Sequence, residues 1–365
     1  MSAPVLADIS LTNRCNLKCA YCYASAGDDA YRVEEMSVED YKSVFEQLDK
    51  MNVHRISLSG GEPFVRKDFF DILAEAERHK FAIVINTNGC LINEEVAKKL
   101  RNHRFDRICV TLDGSCAEVH DRIRGIGAFE RALSGIRLLQ KYGLPVSTLF
   151  TLNKTNIEDM INTIRFNEAL GISYLSVMVM CPTGRAAKGD LLLTKEVWYP
   201  LFLRLSEMKL RKEIKLNFKI VPPNEGSVFW LFYFPLKYYN RLELLKCWNQ
   251  NVDENNTGEI SCQAGTKSIS ILCNGDVYGC DLMVGIKDFL AGNVLESSLE
   301  CIWNDSPVFK KLREIDKSFL TGKCRNCENK WCGGGCRSAA YNLDGSIYGS
   351  DLSCFYEAKE GVTNG

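Results

Sequence analysis

The sequence predicts an α/β fold, a partial (β/α)6 TIM-like barrel followed by a small cysteine-rich domain. Short runs of apolar and β-branched residues alternate with amphipathic helical stretches, which is typical of a parallel sheet covered by helices. Cysteines then recur through the last third of the chain, which indicates a separate small domain built around them. Because six β/α units fall short of the eight of a closed barrel, we expect an open sheet.

Each β/α unit follows from a local pattern. Six strands are predicted at Val5–Ser10, Arg55–Ser59, Ala82–Asn86, Arg107–Asp113, Ser147–Thr151 and Tyr174–Met180. Helices are predicted between them at Val38–Met51, Asp68–His79, Glu94–Arg101, Phe129–Tyr142 and Ile157–Leu170. The run Ser37-Val38-Glu39-Asp40 has the form of a capping box, and Gly143 and Gly171 stand where two helices should stop.

Composition limits the class of protein. The chain has 365 residues, 46% of them hydrophobic and 25% charged, which is enough for a large core in two domains. A net charge of −1 gives no basic field for nucleic acid or an anionic membrane. The chain shows neither a secretory signal nor a run of about 18 apolar residues, so we predict a cytoplasmic protein without a transmembrane segment. We place the barrel at 1–190, a bridging segment at 191–256 and the cysteine-rich domain at 257–365.

Cysteine usage points to metal. Seventeen cysteines without an export signal favour metal sites over disulfides, and the four histidines all lie outside the cysteine clusters. The densest group is Cys15, Cys19 and Cys22. Three thiolates on one short loop can hold three irons of a cubic [4Fe–4S] cluster and leave the fourth iron open. On spacing alone, a zinc knuckle or three unrelated buried thiols are the alternatives.

Unusual residues follow every predicted strand, and in a β/α barrel those loops share one rim, where functional groups gather. Each patch alone could be an ordinary turn, so their common position carries the inference. In strand order, the patches are the cysteine loop, Gly60-Gly61-Glu62-Pro63, Thr87-Asn88-Gly89, Asp113-Gly114 with Arg124, Thr151-Leu152-Asn153 and Pro182-Thr183-Gly184-Arg185-Ala186.

The spacing CxxxCxxC, the aromatic Tyr21 before its last cysteine, and the later GGEP motif together resemble radical S-adenosylmethionine (SAM) enzymes. The two glycines would let the backbone approach a ligand, and Glu62 can accept hydrogen bonds from an amino group. The resemblance implies that the open iron binds SAM. An electron from a donor such as flavodoxin or ferredoxin then cleaves SAM to a 5′-deoxyadenosyl radical that abstracts a hydrogen atom from substrate. The SAM contacts that the resemblance implies are Tyr21, Gly60, Gly61, Glu62 at the amino group, Asn88 near the ribose, Thr111, and Arg124 at the carboxylate.

The C-terminal third carries a second cysteine pattern. Its CxxC pair is a frequent zinc motif, so two zinc ribbons are the alternative. Following a radical SAM core, however, the pattern resembles a SPASM domain with two auxiliary [4Fe–4S] clusters. The resemblance implies two ligand sets, Cys262, Cys280 and Cys336 for the first auxiliary cluster, and Cys324, Cys327, Cys332 and Cys354 for the second.

The chain departs from the SPASM pattern in two ways. Four residues rather than the usual five precede Cys332, and the first auxiliary cluster has only three clear ligands. Cys247 is the first candidate for its fourth ligand and Cys273 the second; alternatively the site is open to substrate or water. The other cysteines match no motif, and we expect buried thiols at Cys90, Cys109, Cys116, Cys181 and Cys301.

The bridging segment matches no pattern that we can assign. It contains the aromatic run 228–236, which we interpret as packing of a linker helix. A substrate groove or a membrane-surface patch is the alternative.

Taken together, the resemblance implies a radical SAM/SPASM enzyme that oxidises or cross-links side chains of a peptide or protein, as a peptide or sulfatase maturase does. Asp281, beside Cys280, is the candidate proton acceptor, and a solvated turn carboxylate is its ordinary interpretation. One alternative is an enzyme of haem biosynthesis that removes carboxylate-bearing side chains from a tetrapyrrole. Another is a zinc-bound scaffold without activity. Oxygen-sensitive clusters imply an anaerobic setting.

Overall fold

A computed structural model of the chain describes residues 3–28, 33–188, 190–221, 229–249, 260, 262–329, 332–351 and 353–356. Its strands are β1 (Leu6–Ser10), β2 (Arg55–Ser59), β3 (Ala82–Thr87), β4 (Arg107–Thr111), β5 (Val146–Leu152), β6 (Tyr174–Val179), β7 (Asn217–Val221), β8 (Ser268–Ile271), β9 (Asp276–Tyr278) and β10 (Gly292–Asn293). They form one sheet in the order β10-β9-β8-β1-β2-β3-β4-β5-β6-β7. Every pairing from β8 through β1 to β7 is parallel, whereas β9 and β10 pair antiparallel.

The predicted fold class is confirmed. The six predicted strands correspond to β1 through β6, with ends that differ by two residues at most. The sheet also extends beyond the prediction in both directions. β7 comes from the bridging segment and continues the parallel order, and β8 pairs with β1 on the other side, with Asp8 opposite Ser270. β8 and β9 are short strands on either side of the turn that contains Cys273.

Helices alternate with strands β1 to β6 along the chain, as expected, and further helices follow them. They are α1 (Val38–Lys50), α2 (Phe69–Ala76), α3 (Glu94–Leu100), α4 (Ala117–Arg124), α5 (Ala128–Lys141), α6 (Met160–Ala169), α7 (Lys195–Leu210), α8 (Phe234–Tyr238), α9 (Leu299–Asp305), α10 (Pro307–Arg313) and α11 (Arg337–Asp344). The capping box at α1 is confirmed, since the side chains and backbone N–H groups of Ser37 and Asp40 bond reciprocally. α4 was not predicted; Glu118, Asp121, Arg122 and Arg124 make half of its residues charged.

The sheet separates an apolar face from a polar one. Ile56 and Leu58 of β2 are fully buried, whereas the alternating Ser57 is half-exposed. On that second face Asn86 donates to Ser57 at 2.7 Å, and the Ser57 hydroxyl bonds to Asp8. Polar side chains therefore line one face of the sheet from β3 to β1.

By Cα proximity, the chain divides into two compact units. The first comprises 1–191, 216–221 and 263–314, and the second comprises 192–215, 222–262 and 315–365. An aromatic core holds the second unit together: Phe202 lies 4.9 Å from Trp248 and 5.3 Å from Phe232 between ring centroids. Trp230, Leu231, Phe232 and Leu236 of the aromatic run are buried in this unit, as expected for packing. Val228 lies outside the described residues.

The cysteines outside the motifs differ in exposure. Cys109 and Cys181 are buried as expected, and Cys90 is half-buried. Cys116 and Cys301 are exposed, so the expectation of buried thiols was wrong for these two. Cys116 immediately precedes α4. Cys301 lies in the first turn of α9, between the buried residues Leu299 and Ile302.

Candidate active site

The loop after β1 carries three half-buried thiols, those of Cys15, Cys19 and Cys22. Residues distant in sequence fix its backbone. Arg185, after β6, donates from Nε to the Cys19 carbonyl at 2.9 Å and from its backbone N–H to the Cys22 carbonyl at 3.0 Å. The same guanidinium forms an ion pair with Asp28 at 2.9 Å. The sixth strand's loop therefore holds the cysteine loop in place.

The glycine pair after β2 also packs against this loop. Gly61 N–H donates to the Thr12 carbonyl at 2.6 Å. A Cβ at Gly60 would lie 2.5 Å from the Thr12 carbonyl oxygen, and one at Gly61 would lie 2.1 Å from that of Arg14. The sequence suggested close approach to a ligand, and the structure shows close approach to the backbone just before Cys15. Contact of these glycines with SAM stays a prediction.

Glu62 links the loop after β2 to the loop after β3. It is fully buried, and its carboxylate accepts from Thr87 Oγ1 at 2.6 Å and from Asn88 N–H at 2.8 Å. Burial raises the pKa of Glu62 to about 7, an effect that these hydrogen bonds oppose. Asn88 in turn donates from Nδ2 to Asn16 at 2.8 Å and to the Cys15 thiol at 3.9 Å. The predicted SAM contacts Glu62 and Asn88 thus lie against the cysteine loop.

Tyr21, Asp113 and Arg124 form a closed triangle at the end of β4. Arg124 Nε and Tyr21 OH both donate to Asp113 Oδ2 at 2.5 Å, and Arg124 Nη2 contacts the Tyr21 hydroxyl. Asp113 Oδ1 accepts from Thr151 N–H at 2.7 Å, which ties the fifth strand to the site. A guanidinium has five N–H donors, so donors remain for the predicted SAM carboxylate. Thr111, by contrast, is buried and donates at 3.5 Å to a backbone carbonyl of β3.

The protein environment disfavours free thiolates at Cys15 and Cys19. Burial raises the pKa of Cys15 to about 12, although the Leu17 N–H opposes it. Burial also raises the pKa of Cys19, opposed by the charge of Arg124. A bound metal ion would overcome these raised pKa values, because a thiol that coordinates a metal is deprotonated outright. Three thiols on one loop fit a cluster with one open iron.

In the second unit, one cavity is lined by Cys324, Cys327, Cys332 and Cys354. Burial raises the pKa of Cys332 to about 11 and that of Cys354 to about 12. Asn329 Nδ2 donates to the Cys327 thiol at 3.5 Å. Four thiols around one cavity are the donor set of a fully ligated cubic cluster. Within the described residues no group of three or more ligand side chains is suited to a single metal ion, and a cubic cluster distributes its ligands over separate irons.

The residues predicted for the first auxiliary cluster belong to both units. Cys280 is in the first unit, and Cys262, Cys336 and Cys247 are in the second. Cys247 lies near enough to Lys209 for its charge to raise the pKa of that lysine, which burial lowers. The fourth ligand of this cluster stays a prediction. The other candidate, Cys273, is fully buried after β8, and its carbonyl accepts from the Met36 N–H at 2.6 Å.

Asp281 is held on the polar face of the sheet. Its carboxylate accepts from Ser270 Oγ at 2.5 Å and from Tyr23 OH at 3.4 Å. Burial raises its pKa, opposed by these two hydrogen bonds. Burial together with the charge of Asp281 raises the pKa of Asp8 to about 8. Asp281 is half-buried and its carboxylate has two donors, so it is not a freely solvated turn carboxylate; its role as proton acceptor stays a prediction.

Two supporting arginines were missed by the sequence analysis. Arg185 was named only as part of a loop, and Arg337 was not singled out. Arg337 is fully buried and donates from Nη1 to the carbonyls of Ile347 and Gly349, both at 2.9 Å. Nothing in the sequence distinguishes these arginines from surface residues. The one signal near Arg337 is the run of three glycines before Cys336, which indicates an unusual backbone conformation there.

A parallel β/α sheet with three thiols on its rim, together with a four-thiol cavity, defines an iron–sulfur enzyme of the radical SAM class. Residues 9–166 match the Radical SAM superfamily, and residues 262–328 match the SPASM iron–sulfur cluster-binding domain. The chain is 30% identical to the AdoMet-dependent heme synthase of Methanosarcina barkeri over 97% of both chains. It is 29% identical to mycofactocin maturase MftC of Mycobacterium tuberculosis, over 97% of this chain and 83% of that one.

The chain belongs to the radical SAM/SPASM family and is an enzyme whose cofactors are [4Fe–4S] clusters and SAM. This sets aside the zinc-scaffold alternative.

Solved structures share the fold. Streptococcus suis SuiB bound to S-adenosylmethionine has a TM-score of 0.77 at 20% identity, covering 97% of this chain and 78% of that one. AnSMEcpe with bound AdoMet has a TM-score of 0.70 at 20% identity, covering 96% and 94%. No helix among the described residues is long and apolar enough to cross a membrane.

Proposed function

We propose that this enzyme oxidises or cross-links a side chain of a peptide or protein at a C–H bond. The observation that carries the proposal is Asp281, a carboxylate fixed by Ser270 and Tyr23 on the polar face of the sheet, directly after the predicted cluster ligand Cys280. An oxidation that removes a hydrogen atom must also remove a proton and an electron from the substrate to complete a two-electron change. Asp281 is oriented to take that proton.

Each set of residues has a distinct task in this proposal. Bound SAM and a reduced cluster supply the radical that takes a hydrogen atom from substrate, and an oxidised auxiliary cluster supplies an acceptor for the remaining electron. Cys15, Cys19 and Cys22 hold the SAM-binding cluster. Glu62, Asn88 and Arg124 position SAM, and a flavodoxin- or ferredoxin-like protein delivers the reducing electron.

Asp281 is suited to its task because two hydrogen bonds, from Ser270 and Tyr23, favour its ionised form and oppose the effect of burial on its pKa. A carboxylate at this place favours a reaction that releases a proton, whereas loss of CO2 from a substrate radical releases none.

A second candidate is the removal of carboxylate-bearing side chains from a tetrapyrrole. One observation favours it, the 30% identity to an AdoMet-dependent heme synthase over 97% of both chains. A Fe-coproporphyrin III synthase is also 30% identical, over 96% of this chain. The peptide proposal differs because it requires the carboxylate of Asp281, which decarboxylation does not use.

The test supplies both classes of substrate to anaerobically reconstituted enzyme. The probes are Fe-coproporphyrin III and a panel of synthetic peptides deuterated at Cys, Ser, Tyr or Val side chains. We expect deuterium from one of the peptides to appear in 5′-deoxyadenosine. Mass spectrometry should also detect the oxidised form of that peptide. Saturable change of the porphyrin absorbance, with a product that lacks a carboxylate, would instead establish the second candidate.

The Asp281→Asn variant separates hydrogen abstraction from proton removal. Deuterium transfer should persist, while the oxidised product falls by about 100-fold, because an amide cannot accept the proton. Asp276→Asn is the matched control, since Asp276 lies nearby in β9 and its carboxylate accepts from the side chains of Asn274 and Asn293. Equal product from Asp281→Asn and wild type would contradict the proposed role.

A further inference from the structure

The four-thiol cavity of the second unit contains one buried donor whose purpose the fold does not explain. Trp230 lines this cavity together with the four cysteines assigned to the second auxiliary cluster. Its side chain is only 2% exposed, and its ring stands edge-on to Phe355 with centroids 5.1 Å apart. No hydrogen-bond partner for the indole Nε1 is found among the described residues. Buried donors are almost always paired, so this one calls for a partner that the described protein groups do not supply.

Other buried tryptophans of the same unit behave differently. Trp198 Nε1 donates to the Leu231 carbonyl at 2.9 Å, and Trp248 Nε1 donates to Ser206 Oγ at 2.8 Å. Both indoles therefore have ordinary protein acceptors inside the aromatic core. The unpaired indole is the one on the wall of the cysteine cavity.

The remaining polar groups of the cavity wall already have roles. Asn329 Nδ2 donates to the Cys327 thiol at 3.5 Å, and Lys323 Nζ donates to the Cys354 carbonyl at 2.6 Å. Backbone N–H groups of Gly334 and Tyr356 donate to two of the other thiols. The wall thus presents several donors toward sulfur, and sulfides of a bound cluster are acceptors of the kind that Trp230 lacks.

We propose that the Trp230 indole N–H donates a hydrogen bond to a sulfur of the cluster held by Cys324, Cys327, Cys332 and Cys354, and so raises its reduction potential. Reduction adds negative charge to the cluster, and an N–H donor stabilises the more negative state. The bond would make this cluster a better acceptor for the electron left on substrate. The inference rests on the proposed function for the assignment of these four ligands.

The test is an EPR-monitored redox titration of the reconstituted full-length Trp230→Phe variant. Phenylalanine keeps the aromatic contact with Phe355 and removes only the indole N–H. We expect the equilibrium constant for reduction of one auxiliary cluster to fall about tenfold, which is 59 mV for a one-electron couple. Trp198→Phe is the matched control: it removes an indole whose N–H is already bonded to the Leu231 carbonyl, and the potentials should not change.

A measurement on unsubstituted protein keeps the test independent of variant stability. Pulsed EPR of the reduced enzyme labelled with 15N-tryptophan should show a 15N coupling to an auxiliary cluster, and Trp230→Phe should abolish it. Unchanged potentials, or no 15N coupling in the wild type, would overturn the role of Trp230. A Cys324→Ala/Cys354→Ala variant with the iron content of wild type would instead show that these cysteines hold no cluster, so the ligand assignment would fail first.

Discussion

Substituting Gly61 with alanine tests how the cysteine loop is positioned. The added Cβ would lie 2.1 Å from the carbonyl oxygen of Arg14 and 2.7 Å from its carbonyl carbon. Both are backbone atoms, so no side-chain rotation can relieve the overlap. The Arg14 peptide would have to retreat by about 1 Å to restore ordinary van der Waals contact. Cys15 follows directly and would move with it.

The cost can be worked out from the contacts that this movement breaks. Gly61 N–H donates to the Thr12 carbonyl at 2.6 Å, and Glu62 N–H donates to the Arg14 carbonyl at 2.9 Å. Losing both hydrogen bonds costs about 2 kcal/mol, and inserting a carbon into a packed site adds about 1–3 kcal/mol. We therefore expect Gly61→Ala to lower the free energy of unfolding of the apo protein by about 3–5 kcal/mol.

Two assays follow this substitution, denaturant unfolding of the apo protein and iron content after anaerobic reconstitution. We expect about four irons fewer per chain than wild type, the complement of one cubic cluster. The control is Gly143→Ala, where φ is +70° and no atom lies within 4 Å of the added Cβ. Backbone strain alone should cost that variant about 1–2 kcal/mol and leave iron uptake intact. A Gly61→Ala protein with wild-type stability and full iron would refute the described packing of these loops.

Three further outcomes are expected. Because burial raises the pKa of Glu62 to about 7, the native apo protein keeps a proton that the unfolded chain has lost. Its free energy of unfolding should therefore fall by up to about 3 kcal/mol as the pH rises from about 4.5 to 7. Glu62→Gln should lack this fall in pH-dependent denaturation, and an identical slope would contradict it. Arg185→Ala should lose the iron of the SAM-binding site while auxiliary iron remains, because the Cys19 carbonyl loses its anchor; retention of all iron would argue against that anchor. Arg337→Met should lower the stability of the apo protein by about 3 kcal/mol or more in thermal unfolding, since it leaves buried carbonyls without donors.

Much of the fold follows from the sequence because each strand carries its own local signal. The runs that became β1 to β6 are apolar and bounded by turn residues, and the capping box announces α1. The shared rim could also be predicted, since the carboxyl ends of parallel strands meet on one side. The contact of Glu62 with Asn88 of the next loop, and that of Arg124 with Tyr21 of the cysteine loop, agree with that expectation.

What the sequence could not supply are the pairings between distant polar residues. Arg124 was predicted to meet a carboxylate, and in the structure its nearest carboxylate is that of Asp113. Nothing in either local sequence indicates that Tyr21 completes the triangle. The fully buried Arg337 and the unpaired indole of Trp230 are likewise invisible to pattern, because burial of a polar group depends on contacts that assemble only in the folded chain.

The two sets of thiols are held by different physical means, and this difference suits their proposed tasks. The loop of Cys15 to Cys22 has little regular structure and is fixed from outside, by Arg185 and by the backbone contact at Gly61. Such a loop can leave one side open, as a cluster that must bind SAM requires. The cavity around Cys332 lies within a core supported by Arg337, where ordered donors surround the thiols. Hydrogen-bond donors around a cluster stabilise its more negative, reduced form, which suits an electron acceptor.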